Sequence, residues 1–131
     1  MYASPLLMDR RTLLAAGASL AAAALASGLA GAPMEPVRVG VIGIGIRGRN
    51  LMNRTLIGKE GVLVTAVCDV DLNRRLDAKR RVDEVHGLDC VATDRHEEVL
   101  SRDDVDAVLI ATPDHKHKHQ ILQAYGTGKD I

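Results

Sequence analysis

The sequence predicts an α/β domain built on a doubly wound parallel sheet of about four strands, and three observations predict it. Apolar, β-branched runs recur from Val37 to Gly43, from Val62 to Asp69 and from Asp106 to Ala111. Runs without polar alternation are how strands buried on both faces read. The stretches between them carry helical spacing and capping residues. Strands alternating with helices at this spacing require right-handed crossovers, and those place helices on both faces of a parallel sheet.

Pro33 to Pro36 form a short linker, and the first strand follows from Val37. Ile44 to about Ile57 reads as a turn and a helix, with Gly48, Leu51 or Met52, and Thr55 on one face; Gly58 and Gly61 end it. After the second strand, Asp71 can cap a helix whose apolar positions are Leu72, Leu76, Val82 and Val85, closed by Gly87. A short strand is expected around Cys90 to Ala92. Thr93 and Asp94 then open a helix in which Asp94 and Glu97 have capping-box spacing. Beyond the strand at Asp106 to Ala111, Asp114 can cap a last helix through Ile121, Leu122 and Tyr125, ending at Gly126 or Gly128. Lys129-Asp130-Ile131 reads as the start of another strand.

The first 32 residues read differently. Asp9-Arg10-Arg11-Thr12-Leu13-Leu14 opens a long run of Ala, Gly, Leu and Ser, which is the charged start, apolar middle and small-residue end of an export signal. The paired arginines and the weak hydrophobicity resemble the twin-arginine type. An extracytoplasmic, periplasmic location is therefore expected; an uncleaved membrane anchor is the alternative. Small-x-small cleavage sites lie at Ala24-Leu25-Ala26 and Gly28-Leu29-Ala30.

Composition excludes several roles for the rest. The 131 residues hold 17 basic and 17 acidic side chains, and without Asp9, Arg10 and Arg11 the balance is 15 to 16. Nothing in that balance points to a nucleic acid or a membrane surface. Tyr125 is the one aromatic residue beyond the leader, too few for a base-stacking platform. Cys68 and Cys90 fall in apolar stretches and read as buried free thiols, not a disulfide framework or a zinc site.

Gly43-Ile44-Gly45-Ile46-Arg47-Gly48 matches G-x-G-x-x-G. Alone the pattern is weak, but here it follows a buried strand and opens a helix. The first glycine permits a tight turn, the second lets the backbone approach a pyrophosphate, and the third lets helix and strand pack closely. Helix N-terminal amides then face the phosphates. An acid is required at the end of the next strand, and Asp69 stands there, 21 residues after Gly48. Its carboxylate can bind both ribose hydroxyls and would repel a 2′-phosphate, which favours NAD over NADP; Arg74 and Arg75 are close enough to moderate that preference. The assembly reads as a Rossmann nucleotide-binding domain over residues 37–131. An S-adenosylmethionine site on similar topology is the rival, and it needs no such turn.

Ala111-Thr112-Pro113-Asp114-His115-Lys116-His117 lies just past a strand end, where open parallel sheets line their ligand crevice. With Val-Arg-Val-Gly-Val-Ile-Gly-Ile-Gly and Ala-Val-Cys-Asp-Val-Asp, this segment closely resembles the glucose–fructose oxidoreductase/inositol dehydrogenase (Gfo/Idh/MocA) family. The resemblance runs from Val37 to the last residue. It implies an NAD(P)-dependent oxidoreductase that acts on a sugar or cyclitol by hydride transfer, with a second domain to bind substrate. It further implies that Gly43, Gly45, Ile46, Arg47 and Gly48 hold the diphosphate, that Asp69 binds the adenosine ribose, and that Thr112, Pro113 and His117 run beside the nicotinamide half. Asp114 stands where the family often has Asn. The family's Glu-Lys-Pro motif and later acid/base do not appear before Ile131. No catalytic residue is therefore assigned, and a truncated, inactive fragment or a stand-alone nucleotide-binding module is the alternative.

His115, His117 and His119 invite a metal reading. Only His115 and His119 would share a helix face, and Lys116 and Lys118 flank them, so no metal site is assigned. The arginines from Arg74 to Arg81 are interrupted by Asp77 and read as a solvated face.

Overall fold

The computed structural model describes residues 34–131. The expected leader and Pro33 of the linker lie outside the described residues. Four strands, β1 (Val37–Ile42), β2 (Val62–Cys68), β3 (Val91–Thr93) and β4 (Ala107–Ile110), form one sheet in the order β3-β2-β1-β4. All pairings are parallel. The chain steps outward from β1 to β3, then crosses back to lay β4 on the other side of β1. That reversal places a topological switch point, and hence a crevice, between the C-terminal ends of β1 and β4.

The helices divide between the two faces as the doubly wound expectation requires. Helix α1 (Ile46–Leu51) continues as a π-helical turn, Met52–Leu56, and with α2 (Leu72–His86) covers one face. There Met52, Ala78 and Val82 pack on Val41, Val64 and Val67. Helices α3 (His96–Leu100) and α4 (Asp114–Gly126) cover the other, where Val99, Leu100 and Ala124 pack on Ile42, Ala66, Val108 and Ile110. Burial of both sheet faces is what continuous apolar strands need, at roughly 25 cal/mol per Å² of apolar surface removed from water. Cys68 and Cys90 are buried free thiols, and burial pushes both up to about 12.

Several local expectations need correction. The π turn is closed by the Ile57 N–H donating to the Met52 carbonyl (2.9 Å), five residues back. The wider turn carries Leu56 and Ile57 onto the core and leaves Thr55 exposed. In α2, Asp71 caps as expected, accepting from the Arg74 N–H at 3.0 Å, and Gly87 ends the helix in the left-handed region. The buried stripe, however, is Ala78 and Val82, while Leu72, Leu76 and Val85 are about half exposed. β3 starts at Val91 because the Cys90 N–H is donated to the Asp83 carboxylate (2.7 Å) and not to a strand neighbour. Lys79 fixes the same corner, its Nζ donating to Asp83 (2.9 Å) and to the Cys90 carbonyl (2.6 Å).

The Asp94–Glu97 capping box does not form. Arg95 is the N-cap of α3, and Thr93 does the bonding instead: its hydroxyl accepts from the Arg95 N–H (3.1 Å) and donates to Glu98 (2.6 Å). Nor does Asp114 cap α4; Pro113 holds the N-cap position and Asp114 begins the helix, where its charge faces the helix dipole favourably. Asp106 precedes β4, and its carboxylate takes both the backbone N–H and the guanidinium of Arg38. Those bonds hold it down to about 2. At the chain's end Asp130 makes an isolated parallel bridge to Ala107, and the Val108 N–H donates to its carbonyl (2.8 Å). Lys129 steadies this contact by donating to the Arg102 and Val105 carbonyls, each at 2.7 Å. Among the described residues no helix is long and apolar enough to cross a membrane.

Candidate functional site

The three glycines after β1 answer to three different constraints. Gly43 has φ +93°, and a Cβ there would stand 2.7 Å from the Ala111 carbonyl oxygen and 2.9 Å from the Thr112 methyl. The turn therefore passes against the end of β4 only because no side chain intervenes, with the Gly43 N–H donating to the Cys68 carbonyl (2.8 Å). Gly48 is buried, and a Cβ on it would overlap the Gly43 carbonyl oxygen. Gly45 is unlike both. Its backbone (φ −66°, ψ −172°) suits any residue, and a Cβ on it would meet no protein atom within 4 Å. Nothing in the protein's own packing demands a glycine at Gly45; space beside the N-terminus of α1 is left open.

Asp69 sits at the end of β2, only 9% exposed. Its Oδ2 accepts the Ile44 N–H at 2.6 Å and its Oδ1 accepts the Asp71 N–H at 2.9 Å. The acid thus braces the glycine turn as well as facing the crevice. A carboxylate has about four lone-pair sites, so both oxygens can still accept from hydroxyls. This bracing role was not legible from the sequence, since a residue's backbone partners 25 positions away leave no local pattern.

Beyond β4, the Thr112 hydroxyl donates to Oε1 of Gln120, a buried residue on α4, at 2.5 Å. Pro113 sets the helix entrance with φ −59°, and its carbonyl accepts the N–H groups of Lys116 (2.9 Å) and His117 (3.1 Å). His117 carries a buried Nδ1 that has no hydrogen-bond partner among the described residues. The other histidines diverge: His119 stands edge-on to His96, ring centroids 6.5 Å apart. Among the described residues no group of three His, Cys, Asp or Glu side chains could hold a metal ion.

Eight of the nine candidate residues line one cleft of about 830 Å³ at the switch point: Gly43, Gly45, Ile46, Arg47, Asp69, Thr112, Pro113 and His117. That volume falls in the roughly 300–1,000 Å³ span of small-molecule sites. Gly48 lies beneath it, holding α1 against the turn. The structure adds residues that the sequence did not assign to the site: Val70, Asp94 and His96 share the cleft wall. Val70 and Ile46 are each 86% exposed, apolar side chains standing free at the edge of a crevice. Position after the strand acid could have flagged Val70; Asp94 and His96 come from the β3–α3 corner and are brought in only by the strand order.

A glycine turn from the first strand into a helix, an acid closing the second strand and a cleft at the switch point define a dinucleotide-binding domain of the Rossmann type. Comparison with known proteins makes the lineage specific. The family model described as "Oxidoreductase family, NAD-binding Rossmann fold" (GFO/IDH/MocA) matches residues 37–131, and the chain belongs to the Gfo/Idh/MocA oxidoreductase family as its NAD(P)-binding domain. It is 35% identical to a glycosyl hydrolase family 109 protein of Saccharopolyspora erythraea, across 94% of this chain and 32% of that protein. It is 41% identical to an inositol 2-dehydrogenase of Pseudarthrobacter chlorophenolicus, across 74% of this chain and 27% of the relative. Among solved structures, a variant of a 3-ketoreductase from Actinomadura kijaniata, in complex with TDP-benzene and NADP, superposes with a TM-score of 0.63 at 28% identity, covering 72% of this chain and 28% of the other. The chain thus spans about a third or less of the length of these relatives.

Proposed function

We propose that this chain is the cofactor-holding domain of an exported oxidoreductase that transfers a hydride to or from a sugar or cyclitol. The observation that carries the cofactor site is Gly45. Its glycine is required neither by backbone conformation nor by packing, and the empty space it guards lies where a diphosphate would approach the first amides of α1. In this reading Gly43 and Gly48 form the turn, and Gly45, Ile46, Arg47 and Gly48 present amides to the diphosphate, with the Arg47 guanidinium adding charge at the cleft wall. Asp69 accepts from the adenosine ribose. Thr112, Pro113 and His117 flank the nicotinamide half. A bound nicotinamide supplies the hydride acceptor or donor; these residues hold and orient it.

The sugar or cyclitol substrate is supported by the names of relatives, a glycosyl hydrolase and inositol dehydrogenases, and by nothing in this domain itself. Titration calorimetry with NAD⁺ on the full chain tests the cofactor role: a saturable heat is expected, and a folded chain that gives none would sink the reading. Export rests on Arg10-Arg11 and the Ala-rich run behind them. A folded reporter carrying residues 1–32 is expected to leave the cytoplasm, and to stay there once Arg10 and Arg11 are both changed to Lys; export that ignores the change would exclude the twin-arginine route.

A further inference from the structure

Helix α4 has two buried residues, Ala124 and Gln120. Ala124 belongs to the apolar core, where it packs with Val99 and Val108. Gln120 is only 7% exposed, yet it carries a primary amide where an aliphatic side chain would fill the same space at no desolvation cost. Half of that amide is accounted for. Oε1 accepts the Thr112 hydroxyl at 2.5 Å, which fixes the amide plane and the side on which its nitrogen stands. The other half is not. Nε2 carries two N–H donors, and among the described residues no acceptor takes either of them. Nor is this nitrogen sealed in the interior, because the buried side-chain atoms left without a partner are His86 Nε2 and His117 Nδ1. The opening that Gln120 lines is the cleft, beside Ile110 and Thr112.

Thr112 completes a pair. Its hydroxyl hydrogen is committed to Gln120, so its oxygen keeps lone pairs free to accept from a group in the cleft. An N–H donor and an oxygen acceptor therefore stand side by side, and a planar carboxamide is their complement, with a carbonyl that accepts and an NH₂ that donates. The amino edge of adenine carries the same two functions. Asp69, however, closes β2, and the Thr112–Gln120 pair stands past β4, on the other side of β1. With the adenosine ribose on Asp69, the pair lies toward the opposite end of the cofactor. We propose that Gln120 orients the nicotinamide: its Nε2 donates to the carboxamide oxygen, Thr112 Oγ1 accepts from the carboxamide nitrogen, and the ring is held with one face toward the substrate. The proposal rests on the cleft being a dinucleotide site.

The test is titration calorimetry of the full chain with four ligands: NAD⁺, its thionicotinamide analogue, ADP-ribose and 5′-AMP. Sulfur is a poorer acceptor than oxygen, so wild type is expected to bind NAD⁺ about fivefold or more tighter than the thio analogue, the worth of one hydrogen bond. That comparison needs no substitution. Gln120→Leu, similar in volume, should erase the preference by weakening NAD⁺ about fivefold, and leave ADP-ribose, 5′-AMP and the thio analogue within about twofold. Circular dichroism checks that the variant is folded. Equal wild-type affinity for NAD⁺ and the thio analogue would overturn the proposal. So would a Gln120→Leu loss shared by ADP-ribose and 5′-AMP, which would put the pair at the adenine. If ADP-ribose and NAD⁺ bind and only the carboxamide effect is missing, this inference alone fails. If none of the four binds, the dinucleotide reading falls with it.

Discussion

Gly48→Ala is expected to cost the domain about 3 kcal/mol or more and to lower its unfolding midpoint by roughly 10–20 °C. The added methyl would overlap the Gly43 carbonyl oxygen, with the Gly43 carbonyl carbon at 2.9 Å and the Ala111 Cβ at 3.3 Å behind it. None of these is the end of a flexible side chain. Gly43 is itself held by the Cys68 carbonyl and pressed on the Ala111 carbonyl, so relief would require α1 to lift from the sheet. Met52 rides on that helix into a fully buried position, and its packing would loosen with it. Against a total stability of roughly 5–15 kcal/mol, such a loss is a large fraction. Thermal unfolding followed by circular dichroism reads it directly; a midpoint within about 2 °C of wild type would mean that the close approach of turn and helix is not what holds this corner.

Gly45→Val is expected to do the reverse. The position is extended, open and free of neighbours within 4 Å, so the cost in stability should stay at about 1 kcal/mol, that of trading glycine for a branched residue at the N-cap of α1. Binding should not survive in the same way. A branched side chain over the first amides of α1 would fill the approach of the diphosphate and cover the N–H groups meant to meet it. The expected loss of NAD⁺ affinity is about a hundredfold or more, comparable to removing two charge-assisted hydrogen bonds. Side by side, the two variants separate glycine as structure from glycine as site. An unchanged affinity for Gly45→Val would mean that the open space beside Gly45 is not the path of the diphosphate.

Much of this was legible in the sequence, and what was not has identifiable causes. Strands buried on both faces announce themselves as mostly apolar runs without polar alternation, and Val37–Ile42 and Val62–Cys68 do so, each with a single polar residue, Arg38 or Thr65. Glycine spacing and the strand-end acid located the cleft, because backbone geometry at a diphosphate-binding turn leaves few residue choices. Helix faces were harder. In α2 the inner stripe includes Arg75 and Lys79 beside Ala78 and Val82, since both cations reach carbonyls at the strand ends, while their stems lie against the protein. Apolar periodicity therefore pointed to Leu72 and Leu76, on the wrong side. The π turn after Leu51 broke the 3.6-residue period and misassigned Thr55. The roles of Thr93 and Pro113 at the helix starts, and of Asp83 in taking the Cys90 N–H, depend on which backbone groups the neighbouring strands leave unpaired, and that is decided by tertiary structure. Asp94 and His96 joined the cleft for the same reason.

The most direct test is a nitrogen-15 amide spectrum of the full chain recorded as NAD⁺ is added. The largest shifts are expected at Gly45, Ile46, Arg47 and Gly48, with a second group from Asp69 to Asp71 and a third at Thr112 and His117. Residues on the outer face of α2, such as Leu76 and Arg80, should stay in place. Shifts concentrated on that outer face, or a spectrum of a folded chain that does not respond at all, would contradict the assignment of this cleft to a dinucleotide.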